Sequence, residues 1–144
     1  MKFVFPTENP PRYVFPTHAN DLVMDRSESL SAEVFITVLR PGQTSPLHKH
    51  DDMEQIFYVI EGRGVFRIGK ERQEYPVKPG DVVRIPTSTL HSASAMEDTV
   101  FRYLAVDCFS GGRPKDEPTY EQHIRTVCRE LGWDFASVLP ARIG

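Results

Sequence analysis

Apolar and polar positions alternate with a strand-like period over much of residues 31–106. Glu33-Val34-Phe35-Ile36-Thr37-Val38-Leu39 is β-branched and aromatic and ends at Pro41-Gly42, so it reads as a strand. Pro46-Leu47-His48-Lys49-His50 reads as a second, short strand, and Asp51-Asp52-Met53 as a turn. Gln55-Ile56-Phe57-Tyr58-Val59-Ile60 is apolar on both faces, the pattern of a buried central strand. Glu61-Gly62-Arg63-Gly64 reverses the chain, and Val65 to Gly69 carries it back to the polar tip Gly69-Lys70-Glu71-Arg72. Tyr75 to Lys78 is a short strand stopped by Pro79-Gly80, a pair suited to the centre of a type II turn. Asp81 to Ile85 follows and halts at Pro86; His91 to Ala95 and Thr99 to Val106 complete the set. Strands at a spacing of roughly 8–12 residues, punctuated by glycine and proline, predict a sandwich or barrel.

The flanks follow other rules. Residues 1–30 form a proline-rich arm in which Val4-Phe5-Pro6-Thr7 returns as Val14-Phe15-Pro16-Thr17. One four-residue echo makes no repeat architecture. Phe3, Phe5, Tyr13 and Phe15 predict instead that the arm packs on the barrel (31–110) or on a second subunit. After Gly111-Gly112 the period becomes helical. Thr119 and Gln122 suit a capping box, Tyr120, Ile124, Val127 and Leu131 make one apolar stripe, and Gly132 is a stop. Residues 111–144 are therefore a C-terminal extension with a helix over about 119–132, expected on the outside of the barrel or at a subunit contact. His123 lies off the stripe and reads as a solvated residue.

Composition narrows the function. The 144 residues suffice for one domain with a core. A net charge of −3 offers no basic footprint for nucleic acid. No apolar run approaches the roughly 20 residues that span a bilayer, so no membrane partner is expected. Met1 to Pro6 lacks an apolar signal region, and Cys108 and Cys128 read as reduced thiols, which together predict a cytoplasmic protein. No phosphate loop or dinucleotide fingerprint is present, and Cys108 has no neighbouring histidine to activate it. Tyr58, Tyr103, Arg67, Arg84 and Arg102 lie on strands, where a core or interface role is expected; parity alone leaves their direction open.

The candidate chemistry lies in His48-Lys49-His50. Histidines at i and i+2 share a face only on extended backbone. Gln55 and His91 bring an amide and a third imidazole from later strands.

These residues fall in two motifs. Gly42, five residues, His48-Lys49-His50, four residues, Gln55, six residues and Gly62 form the first; Gly80, five residues, Pro86, four residues and His91 form the second. In this the chain resembles the cupin superfamily, with patterns G-x5-H-x-H-x3,4-E-x6-G and G-x5-P-x-G-x2-H-x3-N. The motifs span 42–95 and the likeness extends over about 31–108. Three positions depart from it: Gln55 replaces the acidic residue, Ser88 the glycine and Ala95 the asparagine. Glu54 is adjacent, but neighbouring strand residues face opposite ways, and the six-residue spacing to Gly62 selects Gln55.

The resemblance implies an all-β fold, a double-stranded β-helix (jelly-roll) barrel with a short C-terminal helix. It implies one divalent transition metal ion (Zn, Mn, Fe or Ni) on His48, His50, Gln55 and His91. Four neutral ligands leave the ion's charge uncancelled, which would acidify water and favour an anionic small-molecule substrate such as a carboxylate or enolate. By analogy the chain is expected to be a homodimer, with the Ile56, Tyr58 and Ile60 face available for contact. The expected function is a metal-dependent isomerase, lyase or dioxygenase acting on a sugar acid or keto/enol compound. An Fe(II)-dependent dioxygenase and a non-catalytic small-molecule-binding cupin are the alternatives. The group that moves protons is not identifiable from the sequence.

Overall fold

The structure, a computed structural model, describes residues 1–140. Nine strands and two helices follow in order: β1 (Arg12–Val14), β2 (Ala19–Met24), β3 (Ala32–Leu39), β4 (Met53–Glu61), β5 (Gly64–Ile68), β6 (Gln73–Val77), β7 (Val82–Ile85), β8 (His91–Ala95), β9 (Phe101–Phe109), α1 (Tyr120–Leu131) and α2 (Phe135–Val138), with a 3-10 turn at Arg26–Glu28. A six-stranded sheet, β1-β2-β3-β9-β4-β7, and a three-stranded sheet, β6-β5-β8, make the jelly-roll barrel. Every pairing is antiparallel. No helix among the described residues is long and apolar enough to cross a membrane.

Alternation along the strands fills the space between the sheets. Phe35, Phe57 and Tyr103 from the large sheet and Phe66 and Ala93 from the small one are buried together. Phe57 stacks on Phe66 at 5.4 Å between ring centroids, and Phe66 meets Tyr103 edge-on at 5.2 Å. The reversal between β4 and β5 requires glycine. Gly62 has φ +75°, and a Cβ there would lie 1.9 Å from the Val100 carbonyl oxygen. The turn at Pro79-Gly80 matches its expected type: Gly80 has φ +95°, and the Asp81 N–H reaches the Lys78 carbonyl at 3.1 Å.

Two segments differ from the pattern reading. Residues 46–50 form no regular strand; an isolated bridge joins His48 to His91, and another just before the segment joins Thr44 to Ser94. Pro46 has no N–H to give to a ladder, which accounts for the interruption. Residues 12–24 contribute β1 and β2 to the large sheet, β1 antiparallel to β2 and β2 antiparallel to β3. Their alternation is disguised because two of the buried positions are polar, Asn20 and Asp21. Asn20 Nδ2 donates to the Tyr120 hydroxyl at 2.9 Å, and Asp21 takes a bidentate pair from Arg12 at 2.7 and 2.9 Å.

The capping box is present: the Gln122 N–H donates to Thr119 Oγ1 and the Thr119 N–H to Gln122 Oε1, each at 3.2 Å. Gly132 ends the helix at φ +72°. The buried side of α1 is Tyr120, Ile124 and Cys128, one position round from the expected stripe; Leu131 is exposed. The helix also differs from its expected location. It closes over a cavity of the barrel, where Tyr120, His123, Ile124 and Val127 join the lining.

Candidate metal centre

Three adjacent strands carry a polar row across the inside of the large sheet. Glu33 on β3 pairs with Asp107 on β9, and Asp107 pairs with Gln55 on β4. All three are buried. Arg26, itself 1% exposed, grips Glu33 through Nε to Oε1 at 2.9 Å and Nη2 to Oε2 at 2.8 Å. Burial, together with the Glu33 carboxylate beside it, pushes the Asp107 carboxyl well above the usual range, against the pull of Gln55 and Arg26. Gln55 Nε2 donates to Asp107 Oδ1 at 2.7 Å. Glu54 faces the other way and pairs with Arg84 at 3.1 Å, as strand alternation demands.

The imidazoles gather in the same cavity. One nitrogen from each of His48, His50 and His91 lies within 4.8 Å of the others. His48 Nδ1 is 2.6 Å from the Pro46 carbonyl and His91 Nδ1 is 2.8 Å from the Thr89 carbonyl. A carbonyl can only accept, so each Nδ1 carries the proton and, in the neutral ring, Nε2 keeps a free lone pair. Burial pushes His50 down to about 3 and His91 down to about 4, and lowers His48 as well. All three are therefore neutral at physiological pH. His91 Nε2 and Gln55 Oε1 are buried with no hydrogen-bond partner. Two unsatisfied acceptors beside neutral imidazoles are costly without a ligand and fit a cation.

The cavity measures about 240 Å³. Phe35, Phe57, Tyr103, Ile124 and Trp133 supply apolar wall. Several polar groups in the wall already have protein partners: Thr37 donates to Asn20 at 3.0 Å, Asn20 donates to Tyr120, and Glu33 is taken by Arg26. His18 also lines the cavity, with Nδ1 2.8 Å from Thr17 Oγ1 and its ring stacked on Phe15 at 4.7 Å; burial lowers it to about 4.

His123 corrects the expectation of a solvated residue. It lines the cavity, and its Nδ1 is 2.6 Å from Glu117 Oε2. The His123 bond is the main influence holding Glu117 below the usual carboxylate range. The signal was present in the spacing: Tyr120 and His123, three apart, share a helix face. Glu117, in the loop before the cap, offers no such signal. The other strand residues with chemical potential are occupied elsewhere. Arg67 donates to Ser94 at 2.7 Å, Arg102 to Glu61 at 3.3 Å, and Tyr58 is exposed. Cys108 is exposed, Cys128 is buried, and both are free.

Residues 35–107 match the sequence profile of the cupin domain. An uncharacterised protein of Methanocaldococcus jannaschii is 42% identical over 73 residues, 51% of this chain and 54% of that protein. An oxalate-binding protein of Thermotoga maritima is 35% identical over 68 residues, 47% of this chain and 54% of that protein. The chain thus spans about half the length of these relatives. Among solved structures, a predicted oxalate decarboxylase from Thermotoga maritima superposes with a TM-score of 0.66 at 22% identity, over 74% of this chain and 99% of the other. The polyketide cyclase RemF from Streptomyces resistomycificus gives 0.67 at 19% identity, over 79% and 82%. At such identities the superpositions speak for the fold.

Proposed function

The chain belongs to the cupin domain family, and from that premise we propose that it is a metal-dependent enzyme acting on a small keto or enol compound. His48 and His91 through Nε2, His50 through a ring nitrogen and Gln55 through Oε1 would hold one divalent ion. When bound, the ion supplies a positive charge that none of these neutral ligands cancels, with coordination positions left for substrate oxygens. The observation that carries this reading is the pair of buried, partnerless acceptors, His91 Nε2 and Gln55 Oε1, in a wall shared with three neutral imidazoles.

The lining favours a keto or enol compound over a sugar acid. A sugar carries a hydroxyl on nearly every carbon, and each one buried without a partner is penalised. Here Phe35, Phe57, Phe66 and Trp133 supply much of the apolar wall, and Asn20, Thr37 and Glu33 are already engaged. Phe35, Phe57 and Trp133 would enclose an apolar body and exclude water. His123 is the group suited to accept a proton: Glu117 takes Nδ1–H, which leaves Nε2 as the acceptor, and the carboxylate then stabilises the imidazolium. Tyr58, Ile60 and Val82 form an exposed apolar strip on the large sheet, through which the chain would pair with a second copy.

The test begins with metal analysis of unsupplemented protein, for which about one ion per chain is expected. A thermal-shift screen then compares phenylpyruvate, acetylacetone and galacturonate on loaded and stripped protein. Stabilisation of the loaded form by phenylpyruvate or acetylacetone is expected, followed by deuterium uptake at the carbon beside the carbonyl. His123→Gln should slow that uptake about 100-fold or more while metal content holds. Preference for galacturonate, or no bound ion, would overturn the reading. Oxygen uptake by Fe(II)-loaded protein would indicate the dioxygenase alternative instead. The likeness to the oxalate-binding protein supports one further reading, capture of a small dicarboxylate without turnover. Tight oxalate binding with no chemistry on any compound of the screen would favour it.

A further inference from the structure

A glutamine can ligate a cation only through its oxygen, because the amide nitrogen has no lone pair to offer. The two ends of the amide have nearly the same shape, so packing alone does not choose between them; hydrogen bonding does. In this chain Gln55 Nε2 donates to Asp107 Oδ1 at 2.7 Å, and Oε1 is left bare in the cavity wall. Asp107 is itself fixed, standing in register between Gln55 and Glu33 with its carboxyl against that of Glu33. Glu33 is in turn clamped by Arg26. The four side chains are a continuous buried chain from the 3-10 turn to the cavity.

We propose that Asp107 is a positioning residue that sets the polarity of the Gln55 amide, so that the oxygen and not the nitrogen is presented to the three-histidine site. The inference rests on the metal reading of that site. It follows from having an amide at position 55 where the cupin pattern has glutamate. A carboxylate has two like oxygens and needs no partner to orient it.

A double-mutant cycle read by Zn(II) affinity, with calorimetry against a competing chelator, tests this. Asp107→Ala is expected to weaken Zn(II) binding about 10- to 100-fold in the Gln55 chain. In the Gln55→Glu background the same change is expected to cause no loss of affinity, since a carboxylate needs no orienting partner and is relieved of an acidic neighbour. Asp107→Asn should bind almost as the parent does, since it can offer its oxygen to Gln55 and its NH2 to Glu33. Circular dichroism checks the fold of each variant. If Asp107→Ala does not fold, Asp107→Ser takes its place in the cycle, and side-chain amide NMR of the parent should show a Gln55 NH2 protected from exchange. Equal losses in both backgrounds, a folded Asp107→Asn as weak as the alanine variant, or a freely exchanging Gln55 NH2 would overturn the proposal. A parent chain that takes up no Zn(II) would overturn both this inference and the metal reading beneath it.

Discussion

His48 and His91 hold each other through the backbone. The His48 N–H reaches the His91 carbonyl at 3.1 Å, the reverse bond is 2.9 Å, and the ring centroids are 4.3 Å apart. The two halves of the site therefore come together only as the barrel closes. Zn(II) at about a hundred times its dissociation constant should add about 2.7 kcal/mol to stability, which raises the melting temperature by roughly 5–10 °C for a chain of this size. His91→Ala should remove that rise. Scanning calorimetry of both proteins, with and without Zn(II), makes the comparison; an equal rise in the variant would place the metal elsewhere.

Acid should weaken the metal-free protein partly through His18. Burial holds its folded value at about 4, against about 6.5 in an unfolded chain. A folded value below the unfolded one means that the unfolded chain binds more protons between them, so stability present above pH 6.5 is lost as pH falls toward 4. Asp107 runs in the opposite sense, since its folded value is raised. Comparison with His18→Gln isolates the histidine. Relative to that variant, the parent should lose roughly 2–3 kcal/mol between pH 7 and pH 4, measured by urea unfolding. A constant difference across that range would count against a buried neutral His18.

Gly62→Ala should be among the more damaging single-atom additions to the barrel. The left-handed backbone costs a non-glycine residue about 1–2 kcal/mol, and the new Cβ would meet the Val100 carbonyl oxygen at 1.9 Å. A total loss above about 2 kcal/mol is expected by chemical denaturation. Gly42→Ala shares the positive φ with open space around its Cβ and should lose only the smaller, backbone part.

Tyr58 and Val82 are cross-strand partners on β4 and β7, 48% and 63% exposed. If this strip is the contact with a second copy, light scattering after size exclusion should give twice the chain mass, and Tyr58→Glu should give the monomer with an unchanged circular dichroism spectrum. A parent that elutes as a monomer at high micromolar concentration would remove the proposal.

The barrel and most of the site are legible in the sequence because strand alternation and turn chemistry point the same way. His91 to Ala95 was expected as a strand and is β8 to the residue. Counting back from Gly62 chose Gln55 over Glu54, and the structure turns Gln55 inward and Glu54 out to Arg84. The hidden parts have physical causes. β2 is obscured because Asn20 and Asp21 are buried polar residues whose partners, Tyr120 and Arg12, lie elsewhere in the chain. The helix spacing places His123 beside Tyr120, but its partner Glu117 is obscured because it lies in the loop before the helix. Buried polar pairs break the equation of polar with outside, and a single sequence does not mark which pairs form.

The cavity draws its walls from separate stretches of chain. The three imidazoles and the amide lie within residues 35–107, the part matched to the family, whereas Phe15, His18, His123 and Trp133 lie outside it. Phe35 and Phe57 lie in the matched part and Arg26 and Glu33 outside it, so of these residues only the rings of Phe15, His18, His123 and Trp133 can vary without touching the proposed ligands or the polar row behind Gln55. Exchanging the C-terminal tail between barrels of this kind would retailor what is admitted while leaving the four proposed ligands in place.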